Sequence, residues 1–209
     1  MVENQQMVEE FCRSATLMSY ASNSVRSHWN AEKGSLTLNF TMVDSRVKLY
    51  ELLDEFKSLF VTTVNNKGIN MQVSVSESVP QKLSFEREKY FQILFHLMTN
   101  SLKFARLDNP NILILLSFVK FTDVDIVSQG WQGYIKTEVI DNREGMITKN
   151  QESYFCESNN IENEKDFGLS TAQVITEALG GELEVKSANH EEATISFTTL
   201  SNFTKVQPT

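Results

Sequence analysis

Small and apolar residues recur at spacings of three and four along the start of the chain: Val8, Phe11, Ala15, Met18, Ser22, Val25 and Trp29. That repeat belongs to a helix packed in a coiled coil or bundle, and a single amphipathic helix folded back on its own domain carries it too. It predicts a long helix over residues 1–33, stopped at Gly34. The period then changes to two. Leu36, Leu38, Phe40 and Met42 alternate with polar residues over 35–43 and predict a strand with one buried face. Asp44 or Ser45 can cap a second helix, whose positions Leu49, Leu53, Phe56, Phe60 and Val64 keep helical spacing until NNKG at 65–68 breaks it. Alternation returns at Ile69, Met71, Val73 and Val75. Pro80 marks the turn before a third helix, from about Phe85 to Ala105.

Further on, ILILLSFVK and GYIKTEVID read as two strands at or near the centre of a sheet, separated by a loop containing DVDIVSQG. From Ile147 to Phe167 the periodicity is lost, and the polar run ESNNIENEKD at 157–166 reads as a flexible lid. A helix from Gly168 to Leu179 stops at Gly180 and Gly181. Two strands, ELEVKS and ATISFTTL, and a frayed tail complete the chain.

A chain of 209 residues holds one ordinary domain plus an appended element. With 41% apolar and 22% charged residues it has the composition of a globular protein, and no segment approaches the run of about 20 apolar residues that a membrane span needs. The acidic start MVENQQMVEE has neither signal nor transit character, so a cytoplasmic location is the default expectation, alone or as part of a larger membrane-associated receptor. A formal charge of −8 argues against nucleic acid or anionic membrane as a partner. Cys12 and Cys156 stand far apart with no second Cys or His at metal spacing, so both read as ordinary thiols.

The chemistry concentrates in the third helix, in QILFHLMTNSLKFA at 92–105. Leu94, Leu97, Met98, Ser101 and Leu102 face a core, while His96, Asn100 and Lys103 stack on the opposite stripe. An Asn offers a neutral oxygen to a magnesium ion that keeps most of its water, and a Lys offers a point charge to phosphate oxygens. The pair suits a magnesium nucleotide; a solvated polar face is the plain alternative.

In this order the elements resemble the second bundle helix and catalytic ATP-binding domain of a histidine kinase, of the GHKL ATPase superfamily that also holds gyrase B, mismatch-repair ATPases and the ninety-kilodalton heat-shock chaperones. The resemblance rests on AEKGSLTLNF, VKLYELLDEFKSLF, NNKGINMQVSVSESVPQKLSFEREKYFQIL and FHLMTNSLKFA, and it spans nearly the whole chain. It implies an α+β fold: a two-layer sandwich, with a mixed, mostly antiparallel sheet covered on one face by helices. It also implies a dimerisation helix at 1–33, the ATP-binding domain at 34–200 and a tail at 201–209.

The resemblance further implies roles for single residues. Asn100 binds magnesium and Lys103 contacts phosphates. Asp141, in a degenerate DxGxG motif that keeps Gly145 but has Arg143 at the first glycine, reads the adenine amino group; a turn former after a strand is its plain reading. The glycine-rich lid motif is reduced to Asp166-Phe167-Gly168-Leu169-Ser170, where Gly168 and Leu169 would present amides to the triphosphate and Ser170 can equally be a simple N-cap. In GGELEVKSANHEEATISF, Glu191 and Ala193 replace two glycines, and Thr194 would support Asp141 or, as a β-branched residue in a strand, equally serve packing. Tyr154 and Phe155 stand at the lid's base, or pack in the core. His96 occupies a position where kinases usually have Asn and several ATPase relatives a water-activating Glu; a His there can act as a base or merely line the pocket.

The acceptor His of a sensor kinase, followed by an acidic residue and Arg, has no counterpart here; His28 lies in the second-helix segment and His190 in a turn. Two readings follow. In one, ATP and magnesium are bound and the phosphoryl group goes to a histidine on another chain or segment, with a response regulator as downstream partner and a homodimer formed through the N-terminal helix. In the other, the fold and dimer helix persist as a catalytically degenerate interaction module. Losses at three glycine motifs weigh toward weak or absent kinase activity.

Overall fold

The computed structural model describes residues 2–105, 108–121, 132–142, 167–187 and 193–202. Their elements are α1 (Val2–Glu32), β1 (Thr41–Asp44), α2 (Ser45–Asn66), β2 (Asn70–Val75), β3 (Lys82–Phe85), α3 (Arg87–Phe104), β4 (Asn111–Lys120), β5 (Gly133–Asp141), α4 (Phe167–Ala178), β6 (Leu183–Ser187) and β7 (Ala193–Ser201).

Strict alternation along β5 organises the molecule: Ile135, Thr137, Val139 and Asp141 are buried, while the residues between them are half-buried. β5 is central in a five-stranded sheet of order β2-β4-β5-β7-β6, in which only β2 and β4 pair in parallel. Ile112, Ile114 and Leu116 of β4 and Ile195 and Phe197 of β7 share the buried phase. Helices α2, α3 and α4 roof that face, with Phe56, Leu94, Leu97, Ala172 and Ile175 joining the strand residues in one core. This is the mixed, mostly antiparallel sandwich that the sequence leads one to expect.

The direction of α3 follows from its two ends. Just before it, Ser84 accepts a hydrogen bond from Ser201 Oγ at 2.6 Å and donates its N–H to Asn202 O at 2.8 Å. Ser201 lies opposite Gly133, the first residue of β5. Beyond α3 the chain enters β4 at Asn111, whose N–H donates to Asn142 Oδ1 at 2.8 Å, next to the last residue of β5. So α3 runs along β5 from Gly133 toward Asp141. A buried bond between Tyr90 Oη and Thr137 Oγ1, 2.7 Å long, pins it there.

Two differences from the expected elements are informative. Strand character is confined to Thr41–Asp44, which pairs with β3 in a separate two-stranded sheet. Leu38 and Phe40 still pack on the core, but Met42 is exposed and Val43 takes the inward phase, because residues 35–40 have no partner strand to hold the pleat through the junction. β3 itself escaped the pattern: KLSF is too short for alternation to register.

The N-terminal helix also departs from either simple reading. Its seam residues Phe11, Met18, Val25 and Trp29 are all more than half exposed. A different face folds back: Leu17 and Tyr20 pack against the core, and Ser24, Ser27 and His28 are buried. The helix does return to its own domain, but not by the face that the apolar repeat marks.

The Tyr90–Thr137 bond provides a test of the frame. Tyr90→Phe should lower stability by about 1–2 kcal/mol, because it leaves the Thr137 hydroxyl buried without its partner. Adding Thr137→Val should recover much of that loss. Urea unfolding of the single and double variants measures both.

Candidate functional site

Helix α3 is capped by a buried Glu86, in extended backbone, whose carboxylate accepts from the N–H of Lys89. At its other end the Leu102 carbonyl accepts from Lys67 Nζ at 2.6 Å, so a cation meets the negative end of the helix. Between these caps almost every residue is buried. The expected core residues Leu94, Leu97, Met98, Ser101 and Leu102 are indeed inside.

The polar stripe is not solvated. His96 and Asn100 are only 7% and 3% exposed, and Lys103 alone reaches solvent, with its ammonium 5.3 Å from the Phe104 ring centroid. The stripe continues upstream through Gln92 and Lys89, both buried. Neither amide atom of Gln92 has a hydrogen-bond partner among the described residues. Reading the sequence from residue 92 onward missed this continuation, although the same spacing of three and four carries it back to Lys89.

Asp141, 2% exposed, ends β5 on the face roofed by the helices. From the Tyr90–Thr137 bond, Asn100 is ten residues farther along a helix, about 15 Å, and Asp141 is four residues farther along a strand, about 13 Å. The two side chains therefore come to the same end of the same layer. Helix α4 arrives there as well. Its C-terminal end is fixed at the opposite end of the sheet, where Leu200 N–H donates to Leu179 O at 3.2 Å. At Gly181 a Cβ would stand 1.7 Å from the Thr198 carbonyl oxygen, so only glycine allows that approach. The N-terminus of α4, with Gly168, thus points toward the Asp141 end, and α4 packs along α3. Leu169 is buried in the core, and its backbone N–H belongs to the first turn of α4.

Thr194 is not where the motif alignment puts it. It pairs with Ile140, so its side chain stands on the face of the sheet away from Asp141. Ala193 is the residue opposite Asp141, fully buried and without a hydroxyl to offer. Because strand side chains alternate, one step in register exchanges the two faces. Gly145, Arg143, Tyr154, Phe155, Asp166, His190 and Glu191 lie outside the described residues.

For a magnesium ion, the donor that this end of the layer offers is the buried amide of Asn100. A single neutral Asn oxygen beside nucleotide oxygens is the kind of site that ion accepts. Asn100 would hold it. Among the described residues, no helix is long and apolar enough to cross a membrane.

With the geometry in place, kinship decides what it belongs to. The model of the histidine kinase-, DNA gyrase B- and HSP90-like ATPase family matches residues 85–202, more than half of the chain. The chain belongs to this family. Within the family its kin are histidine kinases. Histidine kinase 3 of Arabidopsis thaliana is 31% identical over 103 residues, covering 49% of this chain and 10% of its own length. Hybrid signal transduction histidine kinase B of Dictyostelium discoideum is 25% identical over 157 residues, 72% of this chain and 8% of its own length. The chain thus spans about a tenth or less of the curated relatives it matches. Among solved structures, full-length ShkA in complex with AMPPNP superposes with a TM-score of 0.69 at 20% identity, covering 91% of this chain and 37% of that one. Acinetobacter baumannii histidine kinase AdeS gives 0.63 at 14% identity, covering 88% and 79%. Histidine kinase ThkA in complex with response regulator protein TrrA gives 0.59 at 17%, covering 89% and 48%. These structures share the fold, and the family makes this an ATP-binding domain of the histidine kinase type.

Glu86 supplies a test at the base of α3. Burial holds its carboxyl above the usual carboxylate range, partly offset by the Lys89 N–H and the Lys89 charge. A group whose folded value is raised stabilises the fold while protonated, and that contribution is lost as pH rises through the folded value. Glu86→Gln removes the ionisation. Relative to the parent chain, the variant should gain stability between pH 4.5 and pH 7.5, seen as a smaller fall in urea midpoint; an unchanged difference at the two pH values would count against burial as the dominant cause.

Proposed function

We propose that this chain binds ATP with magnesium at the end of the sheet where Asn100, Asp141 and the α4 N-terminus meet, and that it acts in two-component phosphorelay signalling as the catalytic part of a histidine kinase. The observation that carries the reading is the burial of an amide and a carboxylate, Asn100 and Asp141, at one end of one layer. Asp141 can accept from an exocyclic amine and so prefer adenine to guanine. Asn100 would hold magnesium, which, when bound, neutralises charge on phosphate oxygens. Lys103 and the amides at Gly168 and Leu169 steady the phosphates. Gly145 belongs to the same group on the strength of its motif. That ShkA was solved with AMPPNP supports the nucleotide, and the ThkA–TrrA complex supports a response regulator as partner.

Transfer would go in line to a histidine on another chain or segment, the protein supplying position and field rather than covalent chemistry. His96 would add a base only if its buried imidazole met the attacking group. The exposed seam on α1 would join a second copy in a homodimer. A second reading has its own observation: Ala193, rather than a hydroxyl residue, faces Asp141. Together with Arg143 and the sparse lid glycines, it favours a degenerate module that keeps the fold and the dimer helix.

Magnesium-dependent binding of a labelled ATP analogue tests the first reading. Asn100→Ala should weaken it at least tenfold, or about 1.4 kcal/mol, and Asp141→Asn by ten- to a hundredfold. No binding at millimolar nucleotide would leave the interaction module. Analogue binding without phosphate transfer to a separate bundle protein carrying an acceptor histidine would mark a pseudokinase. For the dimer, removing α1 would uncover the core around Tyr20, so exposed seam positions are the better choice. Phe11→Lys with Met18→Lys should shift sedimentation from dimer to monomer; a parent chain that is monomeric at high concentration would rule the seam out.

A further inference from the structure

Helix α1 reaches the candidate site from behind. The Tyr20 ring stacks on Phe91 of α3 with centroids 4.3 Å apart and planes 16° from parallel, and it lies 6.3 Å from Phe95. Phe95 in turn presents its ring edge-on to His96 at 5.4 Å, and His96 is one helical turn before Asn100. Arg87, at the start of α3, pairs with Glu55 of α2, and its charge acts on the Tyr20 hydroxyl. About two turns along α1, Ser27 Oγ accepts from the buried Lys89 Nζ at 3.1 Å. The same helix packs against α4. One element therefore bears on both helices whose ends frame Asp141.

We infer that α1 is a clamp on the nucleotide site: docked through Tyr20, it holds α3 against α4 and raises the affinity for nucleotide. This rests on the nucleotide reading above and adds its regulation. A ligand that bridges two walls binds more tightly when they are already held in place, because less motion is lost on binding. The docking face and the exposed seam are centred roughly 150° apart around α1 at 100° per residue. A partner that grips the seam therefore leaves Tyr20 in place, yet any rotation it imposes on the helix slides Tyr20 off Phe91. Coupling of this kind is reciprocal: what α1 does for nucleotide, nucleotide must do for α1.

The experiment combines affinity for a magnesium-bound ATP analogue with amide hydrogen exchange over residues 17–28 in the full chain. Tyr20→Ala should weaken binding about five- to tenfold, and Tyr20→Phe, which keeps the stack, by no more than about twofold. In the parent chain, saturating analogue should slow exchange over 17–28 by a similar factor, an effect that a merely structural tyrosine would not produce. Equal affinity in the parent and Tyr20→Ala, with exchange unmoved by analogue, would overturn the clamp while leaving the nucleotide site intact. If Tyr20→Ala does not fold, the exchange measurement on the parent decides alone. A parent chain that binds no analogue removes the nucleotide reading and the clamp with it.

Discussion

The near-complete burial of α3 between Lys89 and Leu102 is the constraint on which the rest depends. An eighteen-residue helix lies along the central strand, with the sheet on one side, α2 on another and α1 with α4 on the third. A helix enclosed in this way must satisfy both ends, and the Glu86 cap and the Lys67 contact to Leu102 do so. It must also accept that a polar stripe is buried along its length. Burying Lys89, Gln92, His96 and Asn100 costs free energy unless each finds polar company, and Lys89 finds it in Ser27 Oγ of α1.

Much of this was legible because apolar spacing reports burial directly. The α3 core positions, the central place of β5 and the roofed sheet follow from periods that neighbouring elements reinforce. The rest was hidden for identifiable reasons. The outer stripe of α3 can be read as solvated, since sequence alone does not show that other elements pack over α3, as Ser27 of α1 does at Lys89. A four-residue strand such as β3 gives alternation too few positions to register. The inward face of α1 consists of Leu17, Tyr20, Ser24, Ser27 and His28, a mixture that no hydrophobicity pattern selects, whereas the conspicuous apolar repeat faces solvent. In α1, then, the stronger pattern marks the exposed side and the weaker one the face that packs.

The site shows the same division between what motifs fix and what register fixes. Asn100 and Asp141 are placed by a helix and a strand whose ends the chain itself ties down, so their positions follow once α3 is known to run along β5. Thr194 depended on counting through a degenerate motif with no glycine after Gly181 to anchor the count. A step of one residue is harmless in a loop, but in β7 it moves a side chain through the sheet.

Ala193 bears on how far the degeneracy reaches. It stands directly opposite Asp141 and is fully buried, so β7 brings no side-chain hydroxyl to the carboxylate. A carboxylate can accept from an exocyclic amine without that help, but a base seated there would be held by fewer groups, and this is a loss of the same kind as the sparse glycines.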